Sequence, residues 1–290
     1  MKDRIRIGTR GSRLALAQTE LVKAALADKF PGLECETVII KTKGDRVQDK
    51  PLSAIGGAGV FAGEVEASLL SGDIDIAVHS AKDLPTLLAD GLEVRCVLKR
   101  ADPRDVILYR KEFNVTSGSP RIGTGSIRRR TFFSRCFHGS EPKFFDIRGN
   151  VDTRIKKLRE GMYDGIILAA AGLERLGLLP FDDDELECEL LPVRDLLPAP
   201  CQAIIAVESR IGEYCDILDG INYRESFISF NTERYILRML GGDCSKPIGA
   251  YTEVRDGRIR ILVSVGGETV GAEGEAIEWK RLAEGLVRKL

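Results

Sequence analysis

Apolar and polar positions along the chain switch repeatedly between a period of two and a period near 3.6, which outlines alternating strands and helices. Residues 4–8 alternate as a short strand, and from Ser12, a plausible N-cap, the period turns helical to about residue 28. Leu14, Ala17, Leu21, Ala24 and Ala25 are the expected buried face of that helix. Residues 35–41, rich in β-branched side chains, read as a second strand. A Gly- and Lys-rich loop (43–59) leads to a helix marked by Phe61, Val65 and Leu69. The apolar strand at 74–78 then breaks into His79-Ser80-Ala81-Lys82-Asp83-Leu84-Pro85, and 91–98 is a further strand.

After a polar, proline-broken linker at 100–104 the alternation resumes. Strands are expected at 105–109, 121–123, 143–147 and 165–168, with helices at 126–137, 151–160 and 170–176. The proline- and acid-rich stretch 180–200 reads as a return connection, and 201–208 as a buried strand rejoining the first sheet. Beyond Gly220 come a helix (225–240), two strands (248–254 and 259–265) around an Asp256-Gly257 hairpin signal, and a closing helix (276–290). No sequence repeat is evident. The fold class expected is α/β: two domains with mainly parallel sheets and right-handed crossovers, plus a small α+β C-terminal domain. The boundaries are 1–99 with a return segment at 200–219, then 100–199, then 220–290.

Composition narrows the partners. Basic and acidic residues nearly cancel (43 against 44, net charge −1), which argues against a nucleic-acid or anionic-membrane surface. Among the basic residues 28 are Arg and 15 Lys, a bias suited to two-pronged recognition of carboxylate or phosphate, although surface pairs would explain it equally. The 7 cysteines include no C-x-x-C pair and only 2 His are present, so neither a zinc site nor a His-rich metal site is expected. The start of the chain lacks a signal-peptide pattern and no run is long enough to span a membrane. A cytoplasmic monomer without bound metal is expected.

Candidate chemistry gathers at strand ends, where α/β proteins hold their ligands. Lys82 and Asp83 sit side by side after an apolar strand. Three other ends carry arginine in glycine-rich turns: Gly8-Thr9-Arg10-Gly11-Ser12, Gly123-Thr124-Gly125-Ser126-Ile127-Arg128-Arg129 and Asp146-Ile147-Arg148-Gly149-Asn150. Hydroxyls and backbone N–H groups at a helix start favour an anion, although each turn alone is also explained as a capped helix with a solvated arginine. One acid among several arginines suggests a substrate bearing several carboxylates or phosphates. Two glycine patterns, at 57–62 and 123–125, do not make a dinucleotide site: the first follows no buried strand and the second lacks its third glycine. Cys244, between Gly241-Gly242 and Ser245-Lys246-Pro247, reads either as a core thiol or as a reactive one.

Together these segments resemble the porphobilinogen deaminase family, whose members are also called hydroxymethylbilane synthases. The likeness is carried by Arg10-x-Ser12-x-Leu14-Ala15-Leu16, Thr42-x-Gly44-Asp45, His79-Ser80-x-Lys82-Asp83-x-Pro85 and Ala101-Asp102-Pro103-Arg104-Asp105. It continues through Gly123-Thr124-x-Ser126-x-Arg128-Arg129, Arg148-Gly149-Asn150-Val151-x-Thr153-Arg154, Ala170-Ala171-Gly172-Leu173-x-Arg175-Leu176-Gly177 and Gly242-x-Cys244-x-x-Pro247-Ile248-Gly249. The resemblance implies two periplasmic-binding-protein-like domains and a transferase joining four porphobilinogen molecules head to tail, with loss of ammonia, in tetrapyrrole (haem) biosynthesis. It implies a dipyrromethane cofactor on a thioether to Cys244, and Asp83 as the carboxylate that moves protons and supports the electron-poor azafulvene. By the same matching Lys82, Ser12, Thr124, Ser126, Arg128, Arg129 and Arg148 hold the cofactor, and Arg10, Arg154 and Arg175 the substrate.

The chain departs from the family pattern at Ala58 and Gly63, where lysines are usual. It departs again at Asp243, beside the cofactor cysteine, and at Cys201 and Ala203, which replace glycines flanking Gln202 in an expected hinge strand. The alternatives from other classes are a non-catalytic anion-binding module of the same two-lobed form and a degenerate paralogue.

Overall fold

A computed structural model describes residues 4–42, 62–112, 119–136, 141–242 and 246–290, apart from the Cys136 side chain. The 43–59 loop, Phe61, Ala58, Asp243 and Cys244 lie outside the described residues. The first sheet contains β1 (Arg4–Arg10), β2 (Glu34–Ile40), β3 (Ile76–Ser80), β4 (Leu92–Val97) and β10 (Ile205–Arg210), in the order β2-β1-β3-β10-β4. The second contains β5 (Asp105–Arg110), β6 (Arg121–Gly123), β7 (Lys143–Phe145), β8 (Gly165–Ala169) and β9 (Leu186–Leu191), in the order β7-β6-β8-β5-β9. In each sheet the fourth strand runs against all the others: β10 is antiparallel to β3 and β4, and β5 to β8 and β9. Each reversed strand is the one that has just crossed from the other lobe.

Helices α1 (Arg13–Lys29), α2 (Gly63–Leu70) and α6 (Cys215–Ile221) belong with the first sheet. Helices α3 (Ile127–Cys136), α4 (Val151–Arg159) and α5 (Ala170–Arg175) belong with the second. A third unit pairs α7 (Arg224–Met239) and α8 (Trp279–Val287) with an antiparallel sheet of β11 (Ile248–Arg255), β12 (Arg258–Val265) and β13 (Glu268–Glu275). The chain is therefore α/β, with two lobes each built on a five-stranded mixed sheet and a small C-terminal α+β unit.

The two lobes are braced in the same way. The tetrapeptide Arg-Ile-Gly-Thr occurs within β1 at 6–9 and again from the start of β6 at 121–124. Asp75 Oδ2 accepts from Arg6 N at 2.8 Å and Nε at 3.1 Å, while Gly72 O accepts from Arg6 Nη2 at 2.7 Å. Asp164 Oδ2 accepts from Arg121 N at 2.8 Å and Nε at 3.3 Å, and Gly161 O from Arg121 Nη2 at 2.8 Å. A repeat is thus present where none was read. It escapes a linear search because only these bracing residues are kept and the segments between them differ in length.

Other expectations are corrected. On α1 the buried side chains are Gln18, Thr19, Val22 and Leu26, while Leu21 and Ala24 face solvent. The covered stripe is set by packing on β3, where Gln18 Nε2 donates to Ser80 Oγ at 2.8 Å. The stretch read wholly as a return connection contains β9, an edge strand paired with β5 and disguised by its glutamates. β13 and α6 were not anticipated. β13 is poor in bulky residues because α8 lies close against it: a Cβ on Gly274 would meet Leu282 Cδ1 at 2.9 Å. The expected Asp256-Gly257 hairpin forms, with φ of 49° and 77° at its two central residues.

Candidate active site

Each large sheet ends toward the other lobe, and the turns that leave those ends carry the charged groups. Ser12 caps α1, its Oγ accepting from Ala15 N at 3.2 Å, so this hydroxyl is engaged by the helix start. Arg10, the last residue of β1, is half-buried. Lys82 and Asp83 occupy a short 3-10 turn (Ala81–Asp83) that β3 runs into. Ala81 N donates to Ile204 O at 3.0 Å, which ties this turn to the segment returning from the second lobe.

Across the gap, Thr124 Oγ1 accepts from Ser126 N at 3.2 Å and Ser126 Oγ from Arg129 N at 3.3 Å, so both hydroxyls shape the start of α3. Behind them lies Asp105, fully buried, a residue within a quoted motif to which no role was given. Its carboxylate accepts from Arg128 Nη2 at 2.7 Å and from Arg129 Nη2 at 2.7 Å. Arg128 Nη1 also donates to Leu197 O at 2.6 Å, and Arg129 Nη1 to Ile167 O at 2.8 Å. Burial alone would raise the Asp105 pKa, but the two guanidiniums hold it far below the usual carboxylate range. The resemblance implies that Arg128 and Arg129 hold the cofactor. The structure commits most of their donors to the protein and leaves a net positive field.

Arg148 is half-buried with Nη2 lacking a hydrogen-bond partner among the described residues, and Arg154 Nε donates to Gly149 O at 2.8 Å. Burial pushes the Arg154 pKa down to about 10; Arg129 and Arg148 add to the lowering and Asp83 of the opposite lobe opposes it. Exposed Asp83 therefore lies within electrostatic reach of both Lys82 and Arg154. Arg175 stands apart: its Nη2 donates to Ala203 O at 2.5 Å, on the return segment.

Lys82 is the cation of the site that burial brings into an accessible pH range. Desolvation pushes it down to about 8, helped by Arg129 and Arg128 and opposed by Asp83 and Asp105. If its ammonium must stay charged to hold the cofactor's carboxylates, kcat/KM declines as pH rises through about 8, the value at which that charge is lost. Lys82→Arg, charged at all accessible pH, should flatten this decline in a pH–rate profile.

The loop bearing Cys244 leaves the described structure at Gly242, whose carbonyl accepts from Thr86 Oγ1 at 3.1 Å. Arg234 of α7 donates through Nη2 to Pro85 O at 2.8 Å and Thr86 O at 3.0 Å. The third unit is thereby docked on the segment that follows Asp83.

A family profile described as "Porphobilinogen deaminase, dipyromethane cofactor binding domain" matches residues 5–214. The porphobilinogen deaminase of Syntrophomonas wolfei is 43% identical over 261 residues, covering 89% of this chain and 83% of the relative. That of Lachnospira eligens is 42% identical over 288 residues, covering 94% and 95%. Among solved structures, the periplasmic VFT2 domain of Bordetella pertussis BvgS aligns over 80% of this chain and 92% of its own, at 14% identity and a TM-score of 0.47. With the profile spanning most of the two lobes and such relatives matching nearly end to end, the chain belongs to the porphobilinogen deaminase family.

Proposed function

We propose that the gap between the lobes is where this chain performs the family reaction, with Asp83 as its catalytic carboxylate and the surrounding cations as its substrate-binding groups. The chain is a transferase that condenses porphobilinogen into hydroxymethylbilane for tetrapyrrole synthesis, and the matched domain is one that binds dipyrromethane. The observation that carries the site assignment is electrostatic: Asp83 is an exposed anion acting on Lys82 of its own lobe and Arg154 of the other.

The donor set suits a dipyrromethane, each ring of which bears an acetate and a propionate. Asp105 cancels only part of the charge of Arg128 and Arg129, and Arg148 has a buried Nη2 with no partner among the described residues. Carboxylates complete such a site, because guanidinium–carboxylate pairs are strong and geometrically defined. Lys82, Arg129 and Arg148 would hold the cofactor's acids, with Ser12, Thr124 and Ser126 maintaining the turns around them. Arg10 and Arg154 would meet incoming substrate, and Arg175 would act on the return segment. Cys244 would carry the thioether, two residues beyond Gly242, whose carbonyl accepts from Thr86 Oγ1 on the segment after Asp83. When bound, the dipyrromethane supplies the pyrrole carbon to which substrate is joined.

On this reading Asp83 accepts a hydrogen bond from the substrate pyrrole N–H and stabilises the positive charge that builds as ammonia leaves. It is also placed to take up the proton released when the new ring regains aromaticity. On the same reading the chain has domains at 1–99 with 200–219, 100–199 and 220–290, and works as a cytoplasmic monomer. No described helix is long and apolar enough to cross a membrane.

Intact-mass measurement tests the proposal. Purified protein should carry the mass of a dipyrromethane, lost in Cys244→Ser, and should gain single pyrrole units during brief incubation with porphobilinogen. Arg148→Leu should accumulate the shorter adducts. Unmodified protein, or an unchanged ladder in Arg148→Leu, contradicts these assignments.

A further inference from the structure

Gln202 is buried where the two segments that cross between the lobes run side by side (1% exposed). Ala101 N donates to Ala203 O at 3.3 Å, and Leu98 N to Ile205 O at 3.1 Å. The Gln202 backbone is held from both directions, its N–H donating to Ala199 O at 3.0 Å and its carbonyl accepting from Arg100 Nε at 2.9 Å. Its side chain reaches into both lobes. Nε2 donates to Pro103 O at 2.8 Å and to Asp105 Oδ1 at 2.9 Å. Both partners are acceptors, which fixes the amide: Oε1 must face the Lys82 ammonium, 3.5 Å away.

The backbone around it is strained. Cys201 and Ala203 both adopt left-handed conformations, with φ of 62° and 71°. A side chain in that region brings Cβ too close to the following carbonyl oxygen. Strain held on both sides of one buried amide marks a position constrained by more than packing.

We infer that Gln202 is a positioning residue, whose carboxamide couples the Lys82 ammonium of the first lobe to the Asp105–Arg128–Arg129 cluster of the second. This rests on the role proposed for Lys82. The amide gives the ammonium a neutral acceptor while presenting its donor end to Asp105, so Lys82 stays close to two guanidiniums without a carboxylate of its own at that contact. The charges facing Lys82 are Asp83 on its own turn, Asp105 on β5, and Arg128 and Arg129 on α3. Removing the acceptor weakens the ammonium's hold on its proton; placing an acid there strengthens it.

The test is the pH profile of kcat/KM for the cofactor-loaded enzyme with porphobilinogen. Gln202→Met, similar in length and without polar ends, should move the alkaline limb to lower pH by about half to one unit. Gln202→Glu should move it to higher pH. Loss of packing alone would not give shifts of opposite sign, and if the Met variant folds poorly the direction of the Glu shift still decides. Limbs unmoved in both variants, with cofactor content intact by mass, overturn the inference while leaving Lys82 in place. A limb that survives in Lys82→Met overturns the role of Lys82 itself and the inference with it.

Discussion

Asp83→Ala is expected to retain its fold and its dipyrromethane while losing about 10²–10⁴-fold in turnover of porphobilinogen, the range associated with removing a positioned proton-transfer group. The fold should survive because Asp83 is exposed and lies at the end of a short turn held by other atoms: Ala81 N bonds to Ile204 O at 3.0 Å and Leu84 N to Ala81 O at 3.3 Å. The loss should appear mainly in kcat. Arg10 and Arg154 still attract the substrate acids, whereas the charge developing as ammonia departs is left without its counter-ion. Asp83→Glu should recover part of the rate. Single-turnover kinetics on protein of verified intact mass would decide the matter, and an Ala variant turning over at near the parent rate would remove Asp83 from the mechanism.

Asp105→Leu should be the most destabilising of the substitutions considered, at about 3–5 kcal/mol, because it leaves two buried guanidiniums facing each other without a carboxylate. For a chain of this size that corresponds to a fall in Tm on the order of 10 °C. Asp105→Asn should cost less, since one acceptor oxygen remains. The pH dependence has a definite sign. A carboxyl held low in the folded state stabilises fully above its unfolded value, near 4, and that contribution drains away progressively as pH falls below it. The difference in stability between parent and Leu variant should therefore be constant above about pH 5 and narrow in stronger acid. A thermal melt unchanged by Asp105→Leu at neutral pH would show that the cluster is not the buried anchor inferred from its geometry.

The two departures beside Gln202 fall in backbone that favours glycine. Cys201 and Ala203 stand where the family pattern has glycine, and both are forced into positive φ, the conformation glycine adopts without a Cβ penalty. The Cys201 side chain is also enclosed, its thiol pointing at Phe230 O at 3.7 Å and its N–H bonded to Glu233 Oε2 at 2.5 Å. Glu233 itself binds Arg100 Nη1 at 2.6 Å and Thr252 N at 2.7 Å, so one buried acid joins a crossing segment, the return turn and the third unit. Burial pushes the Cys201 thiol well above its ordinary range, which makes it an inert packing group.

What could be read from residues alone was local or carried by contiguous motifs. Strand and helix periods placed most elements, Ser12 announced the start of α1, and Lys82-Asp83 was recognisable because a charge pair interrupts an apolar strand. These signals lie within a few residues of one another, where backbone geometry dictates which side chains share a face. What lay beyond that reach was decided by the tertiary structure. The reversed fourth strand of each sheet, the matching Arg6–Asp75 and Arg121–Asp164 braces, and the sorting of equivalent-looking arginines into anchored (Arg128, Arg129) and incompletely partnered (Arg148) depend on partners 20 to more than 100 positions away. A guanidinium looks the same in a sequence whether it meets Asp105 or a substrate acid. Only the folding of β5 beneath α3 settles which, because the energy of a buried charge is set by what surrounds it in space.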